Sequence, residues 1–150
     1  MTAPSHRRVV TGLDAAGRSC ILFDGEVPRL GPGPQVVWRT PGLPADNAGA
    51  VDAALPYDGA LFHDGSSTFM IVEVEPGRPP FLHATDTIDY MVVLKGELVI
   101  EVETGEARMG PGTFIVDRGI VHSWRNDGAE TVVLAAVILP ALPVGAGATL

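Results

Sequence analysis

Hydrophobic and polar positions alternate in short runs along most of this chain, and glycine or proline divides the runs at nearly every junction. Thr68–Glu75, Thr87–Leu94, Glu97–Glu103, Thr113–Asp117, Val121–Asn126 and Thr131–Leu139 read as strands, rich in branched side chains. The first part of the chain is looser, with strands at Arg7–Thr11, Ser19–Phe23 and Gln35–Arg39 between Gly- and Pro-rich turns. Ala45 to Ala54 offers at most one helical turn. Strands recurring about every 8–12 residues, with no helical period between them, indicate an all-β sandwich or barrel.

The pattern around Lys95-Gly96 reads as a hairpin with a two-residue turn, pairing Leu94 with Glu97 and Met91 with Ile100. Alternation then puts Asp89, Met91, Val93, Leu98, Ile100 and Val102 on one face, and Tyr90, Val92, Leu94, Glu97, Val99 and Glu101 on the other. Asp89 is the lone carboxylate on an otherwise apolar face, where it needs a cation, a metal, hydrogen-bond donors or a proton. In Val121–Asn126, His122 and Trp124 share a face, so an interior imidazole can meet that carboxylate.

Charge narrows the choice of partners. Ten Lys and Arg stand against 18 Asp and Glu, a formal net charge of −8, and no basic run offsets it, so nucleic acid is excluded as a partner. Cys20 is the only cysteine, which excludes an internal disulfide and a thiolate metal cluster. It reads as a small buried hydrophobe. Residues 131–150 carry no charge, but their apolar stretch is broken by Pro140 and Pro143, short of the roughly 20 residues a spanning helix needs. After Arg7-Arg8, Asp14 interrupts the chain before an export signal is built. The expectation is a cytoplasmic protein without a membrane partner.

The chemistry-bearing residues then fall into a recognisable order. Gly77 is followed by His83, Thr85, Asp89 and, after six intervening residues, Gly96. Gly112 leads through a strand to Asp117-Arg118-Gly119, then His122 and Asn126. From Gly77 to Asn126 this resembles the two motifs of the cupins, small jelly-roll barrels. The resemblance implies a double-stranded β-helix (jelly-roll) barrel with extra N-terminal strands. Residues 1–66 would be strands and loops packing on the barrel, 67–140 the barrel, and 141–150 a flexible C-terminal tail. It also implies a homodimer, consistent with a Tyr90, Val92 and Leu94 face too apolar to leave to water.

Carried over position by position, His83 takes the first histidine slot of the family's metal site and Thr85 replaces the second. Asp89 replaces the usual Glu, and His122 keeps the last slot. Two imidazoles and one carboxylate have the composition of a facial triad for iron and also suit zinc or manganese. Without a metal, Asp89 and His122 form an acid–base pair whose apolar surroundings push their pKa values toward neutrality. His83, Asp89 and His122 are thus the candidate catalytic residues and metal ligands. Thr85, Thr87, Met91 and Trp124 are candidate substrate contacts. Some similar small cupins act on secondary metabolites. The resulting expectation is a small-molecule enzyme: a dehydratase, decarboxylase or other lyase, or an isomerase, of a carbonyl or aromatic substrate. A non-haem iron oxygenase and a ligand-binding barrel without catalysis are the alternatives. His63 reads as an exposed turn residue and His6 as part of a frayed terminus.

Overall fold

The structure, a computed structural model, describes residues 5–150. Ten strands follow one another: β1 (Arg7–Leu13), β2 (Ser19–Glu26), β3 (Gln35–Thr40), β4 (Ser67–Val74), β5 (Thr87–Lys95), β6 (Leu98–Val102), β7 (Gly105–Met109), β8 (Phe114–Asp117), β9 (His122–Arg125) and β10 (Val132–Pro140). A 3₁₀ turn at Gly59–Phe62, capped by the Asp58 carboxylate, is the one helical element among the described residues. The 45–54 segment forms no helix. Among the described residues, no helix is long and apolar enough to cross a membrane.

All pairings are antiparallel, in a five-stranded sheet β3-β4-β10-β5-β8, a three-stranded sheet β7-β6-β9 and a separate β1-β2 pair. The double-stranded β-helix expected from the motifs is the fold found. Its main core draws on both larger sheets. Met70 and Val74 come from β4, Met91 and Val93 from β5, Leu98 from β6, and Leu134, Ala136 and Ile138 from β10. Odd and even positions part company as strand geometry requires. Ile71 and Val133 point the other way, into a second cluster with Val27 and Val37. Leu98, fully buried, contributes roughly 1.5–3 kcal/mol by leaving water.

The hairpin expected at Lys95-Gly96 is not there. Both edges of β5 are taken, by β10 and β8, while β6 pairs with β7 and β9. Lys95-Gly96 is instead a corner at which the chain leaves one sheet for the other. Gly96 has φ +76°, and a Cβ there would stand 2.9 Å from Val132 Cγ2, so the corner demands glycine. The facing read from alternation survives for Met91, Val93, Leu98 and Ile100, because the inner faces of both sheets look into the same core. Val99 is buried although it lies on the opposite face, between its cross-strand partners Arg108 and Arg125. The real hairpin joins β6 to β7 through Glu103-Thr104, with Val102 opposite Gly105.

Two end segments depart from expectation. His6 is not frayed: its ring lies 3.4 Å from Glu73 and its carbonyl accepts from the Val27 amide. Residues 141–150, expected as a flexible tail, are hydrogen-bonded to the segment that carries His83. The Ala141 amide donates to Asp86 O, Ala148 to the Asp86 carboxylate, and Thr149 exchanges two hydrogen bonds with the Ala84 backbone, all at 2.8–2.9 Å. Asp86→Ala removes one of these acceptors, with an expected cost of about 1 kcal/mol. Hydrogen exchange at the Ala148 and Thr149 amides should accelerate. Unchanged exchange would show that other contacts hold the tail.

On the outer face of the five-stranded sheet, Tyr90, Leu94, Phe114 and Val116 stay exposed. The segment that follows β2 covers part of this face, where Val27 packs with Val37, Ile71 and Val133. Between the N-terminal strands and the sheet lies a groove of about 1300 Å³ lined by Val9, Leu22, Trp38, Phe69 and Leu94.

Candidate functional site

The expected site residues gather at one end of the barrel, on the side of the sheet away from that groove. β9 is an edge strand, so its outer edge is open to pairing. His83 takes it in an isolated bridge: the His83 and His122 backbones exchange N–H···O bonds, each 3.0 Å. Residues directly opposite in such a pair have neighbouring side chains. The two imidazole rings are accordingly 4.4 Å apart. Phe81 stacks on His83 at 5.1 Å, and Trp124 meets His122 edge-on at 5.1 Å, giving a row of four rings.

Each ring has its tautomer fixed by chemistry. His83 Nδ1 lies 2.8 Å from Phe81 O and His122 Nδ1 lies 2.8 Å from Ile120 O. A carbonyl can only accept, so both Nδ1 atoms carry hydrogen and both Nε2 atoms are left as acceptors. Burial holds the His83 imidazole below its ordinary value, the Phe81 carbonyl opposes this, and His122 adds to the lowering.

The carboxylates come from the facing sheet. β5 and β8 pair so that Asp89 stands directly opposite Asp117. In β8, Ile115 and Asp117 are buried while Phe114 and Val116 face outward, so Asp117 points inward. Its Oδ2 is 3.1 Å from His122 Nδ1, and its Oδ1 accepts from the Gly119 amide at 3.2 Å. One Nδ1 proton thus faces two acceptors. It is aligned on the Ile120 carbonyl, which leaves Asp117 Oδ2 close in charge but without a donor.

Asp89 Oδ1 is also buried and without a partner. Burial raises the Asp89 carboxyl from 3.8 to about 6, the Thr87 hydroxyl beside it pulls down, Asp117 adds to the rise and His122 opposes it. Thr85 and Thr87, both buried, have hydroxyls 2.7 Å apart, so Thr85 donates to Thr87 and Thr87 serves the carboxyl.

A raised carboxyl has a definite stability consequence. Between about pH 4 and pH 6 the unfolded chain loses the Asp89 proton while the folded chain keeps it, so stability falls as pH rises through this window. Asp89→Asn should abolish that falling limb and stabilise the protein by about 3 kcal/mol well above pH 6. Urea unfolding at a series of pH values reads this out. A variant that is less stable at pH 7 would show that the carboxylate is favourably paired instead.

The structure thus brings together His83, Thr85, Thr87, Asp89, His122 and Trp124. Met91 lies two residues further along β5, packed in the main core. Asn126, also at motif spacing, is structural: its amide donates to Val74 O and Glu130 O, each at 2.8 Å. The residue that sequence reasoning missed is Asp117, seen only as the end of a strand.

The metal triad requires correction. Among the described residues, no group of three or more His, Cys, Asp or Glu side chains is placed to hold a metal ion. The two Nε2 atoms suit a ligand role, but the family's second histidine is Thr85, a poor ligand. The carboxylates also stand on the opposite sheet, with Asp117 engaged at His122 Nδ1 rather than Nε2. The donor set does not fit a three-ligand iron, zinc or manganese centre.

The Cupin domain family model matches residues 70–138. Phomopsin biosynthesis cluster protein D of Diaporthe leptostromiformis is 34% identical over 134 residues, covering 79% of this chain and 69% of that protein. Oryzines biosynthesis cluster protein J of Aspergillus oryzae is 43% identical over 82 residues, covering 53% and 46% respectively. A cupin-domain-containing oxidoreductase of Aspergillus ruber is 29% identical over 131 residues, covering 79% and 63%. The chain therefore spans from about half to about two thirds of the length of these relatives. With the sheets closed around one core, His83 and His122 bridged at the mouth, and these relatives sharing the sequence, the chain belongs to the cupin family.

Proposed function

We propose that this cupin is an enzyme moving protons on a small carbonyl or aromatic compound of the secondary-metabolite kind, in a dehydration, decarboxylation or isomerisation. The observation that carries the reading is the convergence of Asp89, Asp117 and His122 from two sheets. With Nδ1–H bonded to Ile120 O and the Asp117 carboxylate 3.1 Å from that nitrogen, His122 is positioned to accept a substrate proton at Nε2. The imidazolium that forms is stabilised by the Asp117 carboxylate, as in other oriented histidine bases. Asp89, raised to about 6, can hold a proton near neutrality and deliver it elsewhere on the substrate. In a dehydration, the C–H bond breaks toward Nε2, its electron pair forms the double bond, and the departing hydroxide leaves as water with the Asp89 proton. Solvent then restores both groups.

Relatives named as cupin-domain oxidoreductases favour a second reading, oxidation of the substrate. One experiment separates them. The purified protein is incubated in D₂O, with and without oxygen, with a panel of β-hydroxycarbonyl and enolisable aromatic compounds. Proton-moving chemistry gives deuterium incorporation or loss of one water, independent of oxygen. A product that has gained oxygen or lost two hydrogens, only in air, would establish oxidation instead. Ligand retained unchanged throughout would leave a binding barrel.

A further inference from the structure

The stretch that carries His83 is fastened along both edges, and one of those edges is the C-terminal segment. Successive residues of a strand present their backbone groups to opposite sides. His83 accordingly bonds to His122 on one side. On the other, the Ala84 amide donates to Thr149 Oγ1 at 2.8 Å and the Ala84 carbonyl accepts from the Thr149 amide at 2.9 Å. Asp86 is held by the same segment: its carbonyl accepts from the Ala141 amide and its carboxylate from the Ala148 amide, each at 2.9 Å. The chain thus leaves β10 at Pro140, opposite Thr87, turns back between Val144 and Gly147, and returns as an outer edge for residues 84–86. Among the described residues, every hydrogen bond of the Ala84 and Asp86 backbones goes to this segment.

The inner edge is slight by comparison, a bridge of one residue pair. Much of the site depends on where this stretch lies. The Thr85 and Thr87 hydroxyls are 2.7 Å apart and Thr87 serves Asp89, so a shift of residues 83–87 disturbs the His83 ring and the Asp89 contact together. A reacting group has to be held within a fraction of an ångström, and a displacement near 1 Å costs up to about 10²-fold in rate. We propose that residues 141–149 are a positioning strap for the reacting groups: Thr149 and Asp86 fasten the stretch carrying His83, Thr85 and Thr87 at its outer edge, and so keep the His83 imidazole in the orientation and tautomer that leave Nε2 as an acceptor. Both residues act through this stretch rather than on the substrate. The strap is independent of which reaction occurs and rests on the proton-moving reading only in taking the same mouth as the place of reaction.

The test compares Thr149→Val and Asp86→Ala, which each delete an acceptor, with Thr149→Ser and Asp86→Asn, which keep an acceptor oxygen. Thr149 is exposed and Asp86 half-buried, so the deletions leave the core packing in place. Asp14→Ala is the control for the same kind of loss elsewhere, since the Asp14 carboxylate accepts from the Ala16 and Arg18 amides in the β1–β2 turn. Nitrogen-15 NMR of the His83 imidazole, assigned by its loss in His83→Gln, needs no substrate. The unaltered protein should show the Nδ1–H pattern that the Phe81 carbonyl imposes. In Thr149→Val and Asp86→Ala the two ring nitrogens should move toward the averaged values of exchanging tautomers, while Thr149→Ser, Asp86→Asn and Asp14→Ala keep the original pattern. On a panel compound that turns over, each deletion should lower kcat about tenfold with KM little changed. Unaltered His83 signals in both deletions would overturn the proposal. So would the same changes in Asp14→Ala, or their persistence in Thr149→Ser and Asp86→Asn. If His83 responds as expected and no panel compound turns over, the reaction reading falls and the strap stands. If turnover is found and neither kcat nor the His83 signals respond to the deletions, the strap falls and the reaction stands.

Discussion

Replacing His122 with glutamine is expected to lower kcat by about 10²–10⁴-fold, the usual contribution of a positioned general base, with little change in KM. Glutamine keeps a polar side chain in a position that is almost fully buried, but it cannot take up and carry a proton. The backbone bridge to His83 does not depend on the side chain, so the fold should survive. Asp117→Asn is the companion variant. It keeps the shape but removes a carboxylate 3.1 Å from His122 Nδ1, so the loss should appear in kcat rather than KM. Stopped-flow or endpoint assays on whichever panel compound turns over provide the measurement. Full activity in His122→Gln would remove this residue from the chemistry.

Gly119→Ala should be among the most destabilising single-methyl additions in the chain. The residue has φ +74°, and a Cβ would lie 2.8 Å from Thr85 O and 3.0 Å from Thr87 O. Left-handed backbone costs an L-residue about 1–2 kcal/mol, and two carbonyls of a neighbouring segment cannot step aside as a flexible side chain can. A loss of about 3 kcal/mol or more is expected, a large share of the 5–15 kcal/mol that holds a domain together. Gly112→Ala is the control: its φ is +85°, but nothing lies within 4 Å of its Cβ, so only the conformational part, about 1–2 kcal/mol, should be lost. Equal urea midpoints for the two variants would mean that the close approach to Thr85 and Thr87 carries no weight. The turn matters for function as well, because its Gly119 amide fixes Asp117 Oδ1.

Local pattern was enough for most of this architecture. Alternation in residues such as Met91, Val93, Leu134 and Ala136 marks strands with one buried face, and that signal lies within each strand. It failed where the deciding contact is distant. Leu94-Lys95-Gly96-Glu97 has the same local signature as a hairpin turn and as a corner. Only the occupation of β5's edge by β10 makes it a corner. β7 escaped notice because Gly105 to Arg108 are all exposed, so no apolar face announces a strand held by its pairing to β6.

The site divides in the same way. Asp89 stood out as a charge on an apolar face, and His83 and His122 through their spacing. The inward parity of Asp117 with Ile115 was also present in the sequence. Its importance comes from the β5–β8 register, which sets it against Asp89, and from its reach to His122. Neither follows from the residues of β8 alone.

The reading depends most on burial of the Asp89 carboxyl, with Asp117 opposite and His122 nearby, so that it keeps its proton up to about pH 6. Carbon-13 NMR of the aspartate carboxyl groups as a function of pH, with Asp89 assigned by its loss in Asp89→Asn, measures this directly. A midpoint near 6 for Asp89 is the expected result. A midpoint at the ordinary aspartate value of about 3.9 would mean the carboxyl is solvated or paired, and the acid–base cluster described here would not exist.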